Sequence, residues 1–267
     1  MIAFPNAKIN LGLNVVSRRA DGYHNLETVF CPVRLADALE VIESSSFSFQ
    51  ITGIDIDGDP EKNLVVRAYR LLQNDFDLPP VEIHLHKLIP TGAGLGGGSS
   101  DAAFMLKMLN SLFNLQLTVT QLERYAARLG ADCPFFIGNQ PAFATGIGDQ
   151  LQPFPLDLSK YLLLIVKPAF SVSTAQAYRD VVPRTPAESL VTLLKLPPQN
   201  WKESVFNDFE PSVFAQFPEI GQIKATLYRH GAVYASMSGS GSAVFGLFPH
   251  SPTDLTNDLP SGCSVYR

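Results

Sequence analysis

The chain has 267 residues, enough for one or two domains with buried cores of their own. Apolar residues make up 46% of it and charged residues 17%, a globular composition that excludes disordered, collagen-like and coiled-coil chains. The formal net charge of −5 supplies no basic field for a phosphodiester backbone, so we expect no nucleic acid partner.

Cysteine spacing and apolar runs bear on the compartment. The 3 cysteines are far apart and form no C-x-x-C pair, which argues against a disulfide framework. The opening residues place Lys8 inside an apolar stretch, unlike a signal peptide, and no apolar run is long enough to span a membrane. We therefore expect a cytoplasmic protein with no membrane partner.

Alternating apolar and polar residues predict two strands in the first third of the chain. In residues 7–15 the apolar side chains share one face, while Lys8 and Asn10 share the other. Residues 81–88 alternate similarly and lead into a glycine-rich segment, and between the two strands Asn63 is expected to cap a helix. The first strand thus carries an ammonium group beside an amide.

Helical periodicity returns after the glycine-rich segment. A helix is predicted from Ser99, with Ser99 or Ser100 as its N-cap and Asp101 in its first turn, where a carboxylate meets the helix dipole. The spacing of Thr120 and Glu123 suits a capping box and predicts a second helix.

Residues 151–160 contain two prolines and are predicted to form a surface connection. We place the domain boundary there, which gives predicted domains at 1–150 and 160–267. A second glycine-rich segment, Ser238 to Ser242, is expected to line a cleft opposite the first. Around it the pattern predicts a strand, a helix and two more strands, over residues 161–167, 219–229, 233–236 and 243–248.

The first glycine-rich segment, P-T-G-A-G-L-G-G-G-S-S, covers residues 90–100 and stands directly before a helix start. Glycine lets main-chain N–H groups approach an anion closely, and the helix dipole adds positive potential behind them. We therefore expect the segment to bind a polyphosphate, with a plain flexible turn as the alternative.

Other phosphate loops fit less well. The Walker pattern fails because Gly98 stands where it requires lysine. Gly92, Gly94 and Gly97 do satisfy the dinucleotide fingerprint, but a helix is predicted from Thr118, where that fold needs a strand. A Rossmann-type NAD(P) oxidoreductase therefore stays an alternative, as does a nucleotide-binding module without catalytic activity.

Several motifs together resemble the GHMP kinases, a family named for galactokinase, homoserine kinase, mevalonate kinase and phosphomevalonate kinase. They are the glycine loop, N-A-K-I-N-L at 6–11 and S-M-S-G-S-G-S at 236–242. The runs R-A-D-G-Y-H at 19–24 and G-A-D-C-P at 130–134 narrow the resemblance to members that act on a cytidine diphosphate alcohol. The resemblance extends from residue 3 to about 248.

The resemblance implies a two-domain α+β fold, with a ribosomal protein S5-like N-terminal domain and a ferredoxin-like C-terminal domain. It implies transfer of the ATP γ-phosphoryl group to the 2-hydroxyl of 4-CDP-2-C-methyl-D-erythritol in non-mevalonate isoprenoid precursor biosynthesis. Mg²⁺ is expected with ATP, through protein ligands that the sequence does not identify. The alternative within the family is a homoserine or mevalonate type of small-alcohol kinase. We expect a monomer or weak homodimer.

The resemblance assigns catalysis to Lys8 and Asp132. Asp132 lies in a short turn before Pro134, where its carboxylate is placed to accept the proton of a substrate hydroxyl. A buried Lys8 would keep that carboxylate ionised and attract the transferred phosphoryl group. Cys133, next in the chain, is expected only to pack, because no Cys–His grouping is visible.

Binding roles also follow from the resemblance. The pyrimidine is expected between the rings of Tyr23 and Tyr178. The expected substrate-binding residues are Asn10, Tyr23, His24, Thr174 and Tyr178. The expected ATP-binding residues are Pro90, Thr91, Gly92, Ala93, Gly94, Leu95, Gly96, Gly97, Gly98, Ser99 and Ser100.

Overall fold

The computed structural model describes residues 1–56 and 58–267, and strands and helices are mixed along the chain. The strands are β1 (Ile2–Ala3), β2 (Asn6–Arg18), β3 (His24–Ala36), β4 (Ala38–Glu43), β5 (Ser48–Gly53), β6 (Val81–Lys87), β7 (Ala142–Thr145), β8 (Gln150–Pro153), β9 (Leu162–Lys167), β10 (Tyr234–Met237), β11 (Val244–Phe248) and β12 (Ser264–Tyr266). The α-helices are α1 (Leu64–Phe76), α2 (Gly97–Leu112), α3 (Val119–Ala127), α4 (Cys133–Gly138), α5 (Thr174–Tyr178), α6 (Leu190–Leu193), α7 (Glu210–Gln216) and α8 (Pro218–Arg229). Short 3-10 helices cover Pro60–Lys62, Pro198–Asn200 and Leu255–Asp258.

The chain forms two compact units, each assembled from separate stretches. The first unit consists of Met1–Lys8, Pro32–Thr91 and Gly96–Gln140. The second unit consists of Ile9–Cys31, Gly92–Leu95 and Pro141–Arg267. The contiguous domain ranges 1–150 and 160–267 stay a prediction.

The first unit is built on a sheet with the strand order β1-β4-β6-β5. Strand β6 runs antiparallel to β4 and parallel to β5. Helices α1 and α2 pack against each other, and α2 also packs on β4, α3 and α4. Helix α1 begins as predicted, because the Asn63 side chain accepts a hydrogen bond from the N–H of Val65.

The second unit contains an antiparallel sheet with the order β10-β11-β9-β12, on which α8 packs. A further sheet has the order β2-β3-β7-β8. The core of this unit is formed by apolar side chains of the strands and helices, among them Leu164, Val166, Val213, Ile220, Ile223, Leu227, Val244 and Phe248. The predicted strand, helix and two further strands over residues 161–248 are confirmed as β9, α8, β10 and β11, with each boundary within one residue of the prediction.

Two local predictions were wrong. The capping box uses Thr118 and Gln121, not Thr120 and Glu123: Gln121 donates its N–H to Thr118 Oγ1 at 3.3 Å, and its Oε1 accepts from the Thr118 N–H at 2.9 Å. Residues 151–153 of the predicted surface connection belong to strand β8, because they pair with β7. Across the residues described here, no helix has the length and apolarity to cross a membrane.

Candidate active site

The first part of the glycine-rich segment is hydrogen-bonded to the second glycine-rich segment. Ser238 Oγ donates to the carbonyl of Gly94 at 2.8 Å, and the N–H of Ala243, which directly follows the second segment, donates to the carbonyl of Ala93 at 3.1 Å. Gly94 has a φ of +73°, and a Cβ there would lie 1.9 Å from the Ser238 carbonyl oxygen. The two segments therefore touch, rather than facing each other across a cleft as predicted, and only glycine fits at residue 94.

The remainder of the glycine-rich segment opens helix α2. The helix begins at Gly97, and its N-cap is Gly96, whose φ of +72° is left-handed. The predicted cap at Ser99 or Ser100 was wrong, because both serines already lie within the helix. Gly96 has no side chain to offer as a cap, and within the described ranges α2 makes no side-chain cap hydrogen bond, so its first N–H groups are the part of the helix that can bind an anion.

An ion pair stands beside this helix start. Lys8 Nζ lies 3.4 Å from Asp132 Oδ2, and the exposed fraction of the side chain is 4% for Lys8 and 35% for Asp132. A Cβ on Gly96 would lie 3.2 Å from Lys8 Cε, so the lysine stem passes directly next to the N-cap of α2. Asp132 is itself the N-cap residue of α4, yet its carboxylate reaches Lys8 instead of an N–H of that helix. The fold thus brings the two predicted catalytic side chains together at the start of α2.

A second buried lysine, for which the sequence pattern predicted no role, lies behind the same helix turn. Lys87 Nζ contacts Asp37 and lies 2.8 Å from Asp101 Oδ2. Burial raises the pKa of Asp101 to about 7, against the attraction of the Lys87 ammonium. Lys87 falls on the apolar face of β6, and a charge at an inward position of an alternating strand is the signal that marks it.

The prediction that Asp101 lies in the first turn of its helix was also wrong. Because α2 starts at Gly97, Asp101 lies in the second turn rather than the first, and it is buried against Lys87 instead of facing the helix terminus. Its second carboxylate oxygen, Oδ1, is buried with no hydrogen-bond partner among residues 1–56 and 58–267.

Aromatic side chains form a row in the second unit. The rings of His24 and Tyr178 are stacked, with centroids 4.8 Å apart and planes 21° apart. Phe209 meets the Tyr178 ring edge-on at a centroid distance of 4.7 Å. Tyr23, next to His24 in the chain, is 63% exposed, and Thr174 is exposed at the start of α5. The structure therefore joins two of the predicted substrate-binding residues in one stack and leaves the Tyr23 ring open to solvent.

Asn10 is buried, unlike an ordinary substrate contact. Its Nδ2 donates to Thr28 Oγ1 at 3.0 Å, and its backbone N–H donates to Ser238 Oγ at 3.2 Å. Thr28 Oγ1 in turn donates to the carbonyl of Gly12 at 2.6 Å. Through these bonds, Asn10 connects β2 to β3 and to the second glycine-rich segment.

Residues 207–210, for which the sequence motifs predicted no role, support the same region. Asn207 Nδ2 donates to the carbonyls of Met237 and Gly239 at 2.8 and 2.9 Å. Glu210 Oε1 accepts from the N–H of Met237 at 2.9 Å. The amide and the carboxylate thus fix the strand that leads into the second glycine-rich segment.

Candidate metal ligands are few. Within the described ranges, the structure contains no group of three His, Cys, Asp or Glu side chains that could hold a metal ion. Ser100 Oγ, at the start of α2, is buried and has no hydrogen-bond partner in the described part of the chain. Mg²⁺ in nucleotide sites keeps waters and takes phosphate oxygens as ligands, so one protein oxygen at this place fits such an ion.

Comparison with family models finds two matches. Residues 63–146 match the GHMP kinases N terminal domain, and residues 189–262 match the GHMP kinases C terminal domain. Together the two matches cover more than half of the chain.

Relatives and solved structures agree with these models. A protein of Bacteroides thetaiotaomicron named 4-diphosphocytidyl-2-C-methyl-D-erythritol kinase is 60% identical, over 100% of this chain and 98% of its own. A Chlorobium limicola protein of the same name is 45% identical over 91% of this chain and 86% of its own. A crystal structure of 4-(cytidine 5'-diphospho)-2C-methyl-D-erythritol kinase has a TM-score of 0.84 at 35% identity, covering 100% of this chain and 97% of that one. The Methanococcus jannaschii mevalonate kinase, at TM-score 0.73 and 14% identity over 100% of this chain and 96% of that one, shares the fold.

Proposed function

The chain belongs to the GHMP kinase family, and on that premise we propose that it phosphorylates the 2-hydroxyl of 4-CDP-2-C-methyl-D-erythritol in the non-mevalonate route to isoprenoid precursors. As a kinase of this family it is a phosphotransferase with ATP as co-substrate. The dinucleotide-binding alternative was wrong: α2 is followed by α3 rather than by a strand, and the family models match GHMP kinases. Support for the cytidyl substrate comes from two relatives of 60% and 45% identity that are named 4-diphosphocytidyl-2-C-methyl-D-erythritol kinase. They match this chain over 98% and 86% of their own length.

The observation that carries the proposal is the Lys8–Asp132 pair beside the uncapped start of α2. Phosphoryl transfer requires positioned reactants and neutralisation of spreading charge, with little covalent work by the protein. Asp132, with its partly exposed carboxylate, accepts the proton of the substrate hydroxyl. Lys8 pairs with that carboxylate and attracts the transferred phosphoryl group.

The ATP phosphates lie against the glycine-rich loop of residues 90–100. The N–H groups at the start of α2 donate to phosphate oxygens, and the helix dipole supplies positive potential along the same direction. Mg²⁺ neutralises part of the phosphate charge when bound, and Ser100 Oγ is the protein oxygen that would hold it.

The cytidine end of the substrate binds at the aromatic row. The exposed Tyr23 ring offers a stacking face, while His24 and Tyr178 supply polar edges and a second ring. Thr174, exposed at the start of α5, contacts the same ligand. Asn10 orients substrate oxygens indirectly, by holding Ser238 in place.

We also propose a cytoplasmic enzyme that is a monomer or weak homodimer and has no nucleic acid partner. The net charge of −5 supports the last point, and 3 cysteines without a disulfide suit a reducing compartment.

Phosphoryl transfer to competing alcohols tests the proposal. ADP release is measured with ATP and 4-CDP-2-C-methyl-D-erythritol, homoserine or mevalonate, and ³¹P NMR locates the new phosphate. We expect turnover of the cytidyl substrate to exceed that of the other two by orders of magnitude, with a phosphomonoester at the 2-position. Faster transfer to homoserine or mevalonate would assign the chain to another small-alcohol branch of the family.

A further inference from the structure

Three charged side chains meet in the interior of the first unit. Lys87 at the end of β6 contacts Asp37, the single residue between β3 and β4, and Asp101 on α2. Each of the three side chains is at most 3% exposed. Withdrawal of three charges from water is costly, and a buried ionic group of this kind is weak support for stability. Stability alone therefore does not explain why these three charged side chains are buried together.

The cluster holds the residues that come directly before the glycine-rich segment. Asp37 Oδ1 accepts hydrogen bonds from the N–H groups of Leu88 and Ile89, at 2.6 and 2.8 Å. These residues come directly before Pro90, where the loop begins. Asp37 thus fixes the direction in which the chain leaves β6.

The same cluster also holds helix α2, in which the glycine-rich segment ends. Lys87 Nζ donates to Asp101 Oδ2 at 2.8 Å, and this bond ties the second turn of α2 to β6. A Cβ on Gly97 would lie 3.4 Å from Lys87 Nζ, so the ammonium lies immediately behind the first residue of α2. One cation therefore connects both ends of a segment that contains five glycines, the residue type with the greatest conformational freedom.

We propose that Lys87 is a positioning residue for the ATP phosphates. With Asp37 and Asp101 it fixes the two ends of the glycine-rich segment, residues 90–100, relative to each other. The inference rests on the proposed role of residues 90–100 in ATP binding. Donors held in place before the ligand arrives bind it without an ordering cost, and displacement of such a site by about 1 Å costs on the order of a hundredfold in rate. Lys87 acts through the backbone and touches neither substrate.

Three variants separate this role from a structural one. Lys87→Met removes the cation, Asp101→Leu removes the link to α2, and Asp101→Asn keeps an oxygen that accepts from Lys87. The matched control is Leu109→Ala, which opens a cavity at a buried position of the same helix without touching the cluster. For each variant, the dissociation constant of a non-hydrolysable ATP analogue, both KM values and the hydrogen exchange of the amides of residues 96–99 without nucleotide are measured.

We expect Lys87→Met and Asp101→Leu to raise the dissociation constant of the analogue by about tenfold to a hundredfold and to speed exchange at residues 96–99. The KM for the alcohol stays near the wild-type value, and Asp101→Asn restores most of the nucleotide affinity. The proposal is overturned when the first two variants bind the analogue like the wild type, or when Leu109→Ala weakens binding as much. Should Lys87→Met fail to fold, the comparison of Asp101→Leu with Asp101→Asn decides. A wild-type chain that binds the analogue but does not phosphorylate the cytidyl alcohol refutes the proposed substrate and leaves this inference standing.

Discussion

A methyl group at Gly94 tests the contact between the two glycine-rich segments. In Gly94→Ala the new Cβ would lie 1.9 Å from the Ser238 carbonyl oxygen, whereas real Cβ contacts are essentially never below 3.0 Å. One of the two segments must therefore move by about 1.1 Å, the difference between these distances. The Ser238 carbonyl is not free to yield, because it already accepts the N–H of Gly241 at 3.0 Å.

Two energetic consequences follow from this movement. The left-handed φ of +73° at residue 94 costs a residue with a Cβ about 1–2 kcal/mol. The displaced phosphate loop loses alignment with ATP, and a shift of about 1 Å corresponds to roughly a hundredfold lower kcat/KM for ATP. Steady-state kinetics with ATP varied, together with thermal unfolding, measures both effects.

Gly98→Ala is the matched stability control within the same loop. Residue 98 is helical and exposed, and its Cβ would lie 3.7 Å from the nearest Leu64 carbon, an ordinary contact. Alanine is a better helix former than glycine, so this variant should gain up to about 1 kcal/mol of unfolding free energy. Wild-type stability and wild-type kcat/KM in Gly94→Ala would refute the described contact between the segments.

Three further predictions concern the catalytic pair, the base-binding ring and a buried thiol. Lys8→Ala and Asp132→Asn should each lower kcat by at least about a hundredfold, because positioned proton transfer and charge neutralisation are lost. The affinity for an ATP analogue should stay nearly constant. Steady-state kinetics measures kcat, and calorimetry measures the affinity. Tyr23→Ala should raise the KM for the cytidyl substrate and leave that for ATP unchanged, whereas a change in the ATP value alone would refute the cytosine contact. Burial raises the pKa of Cys133 to about 11, so at pH 8 its thiol should resist a disulfide reagent until the protein unfolds.

Local signals account for the elements that the sequence predicted well. The alternation over residues 81–88 became β6, and Asn63 caps α1, because both features depend on near neighbours in the chain. The misplaced box at Thr120 and Glu123 has the same origin, since the pair Thr118 and Gln121 offers equivalent spacing two residues earlier. Sequence spacing alone does not choose between two adjacent boxes.

Long-range contacts explain what the sequence did not predict. Lys87 and Asp37 are 50 residues apart, and Asn207 and Met237 are 30 apart, so no local pattern connects either pair. The Lys8–Asp132 pair was predicted only through the family resemblance, because its members also come from distant elements. A charged residue on the apolar face of a strand remains the sequence signal for such buried clusters.

A crystal structure with a non-hydrolysable ATP analogue and CDP would show where the triphosphate lies relative to the Lys8–Asp132 pair. We predict that the main-chain N–H groups at the start of α2 donate to the phosphates, with an oxygen of the γ-phosphate within hydrogen-bonding distance of Lys8 Nζ and Asp132 facing the attacking position. An adenine ring in the glycine-rich segment, or a γ-phosphate remote from the Lys8–Asp132 pair, would refute the proposed phosphate site.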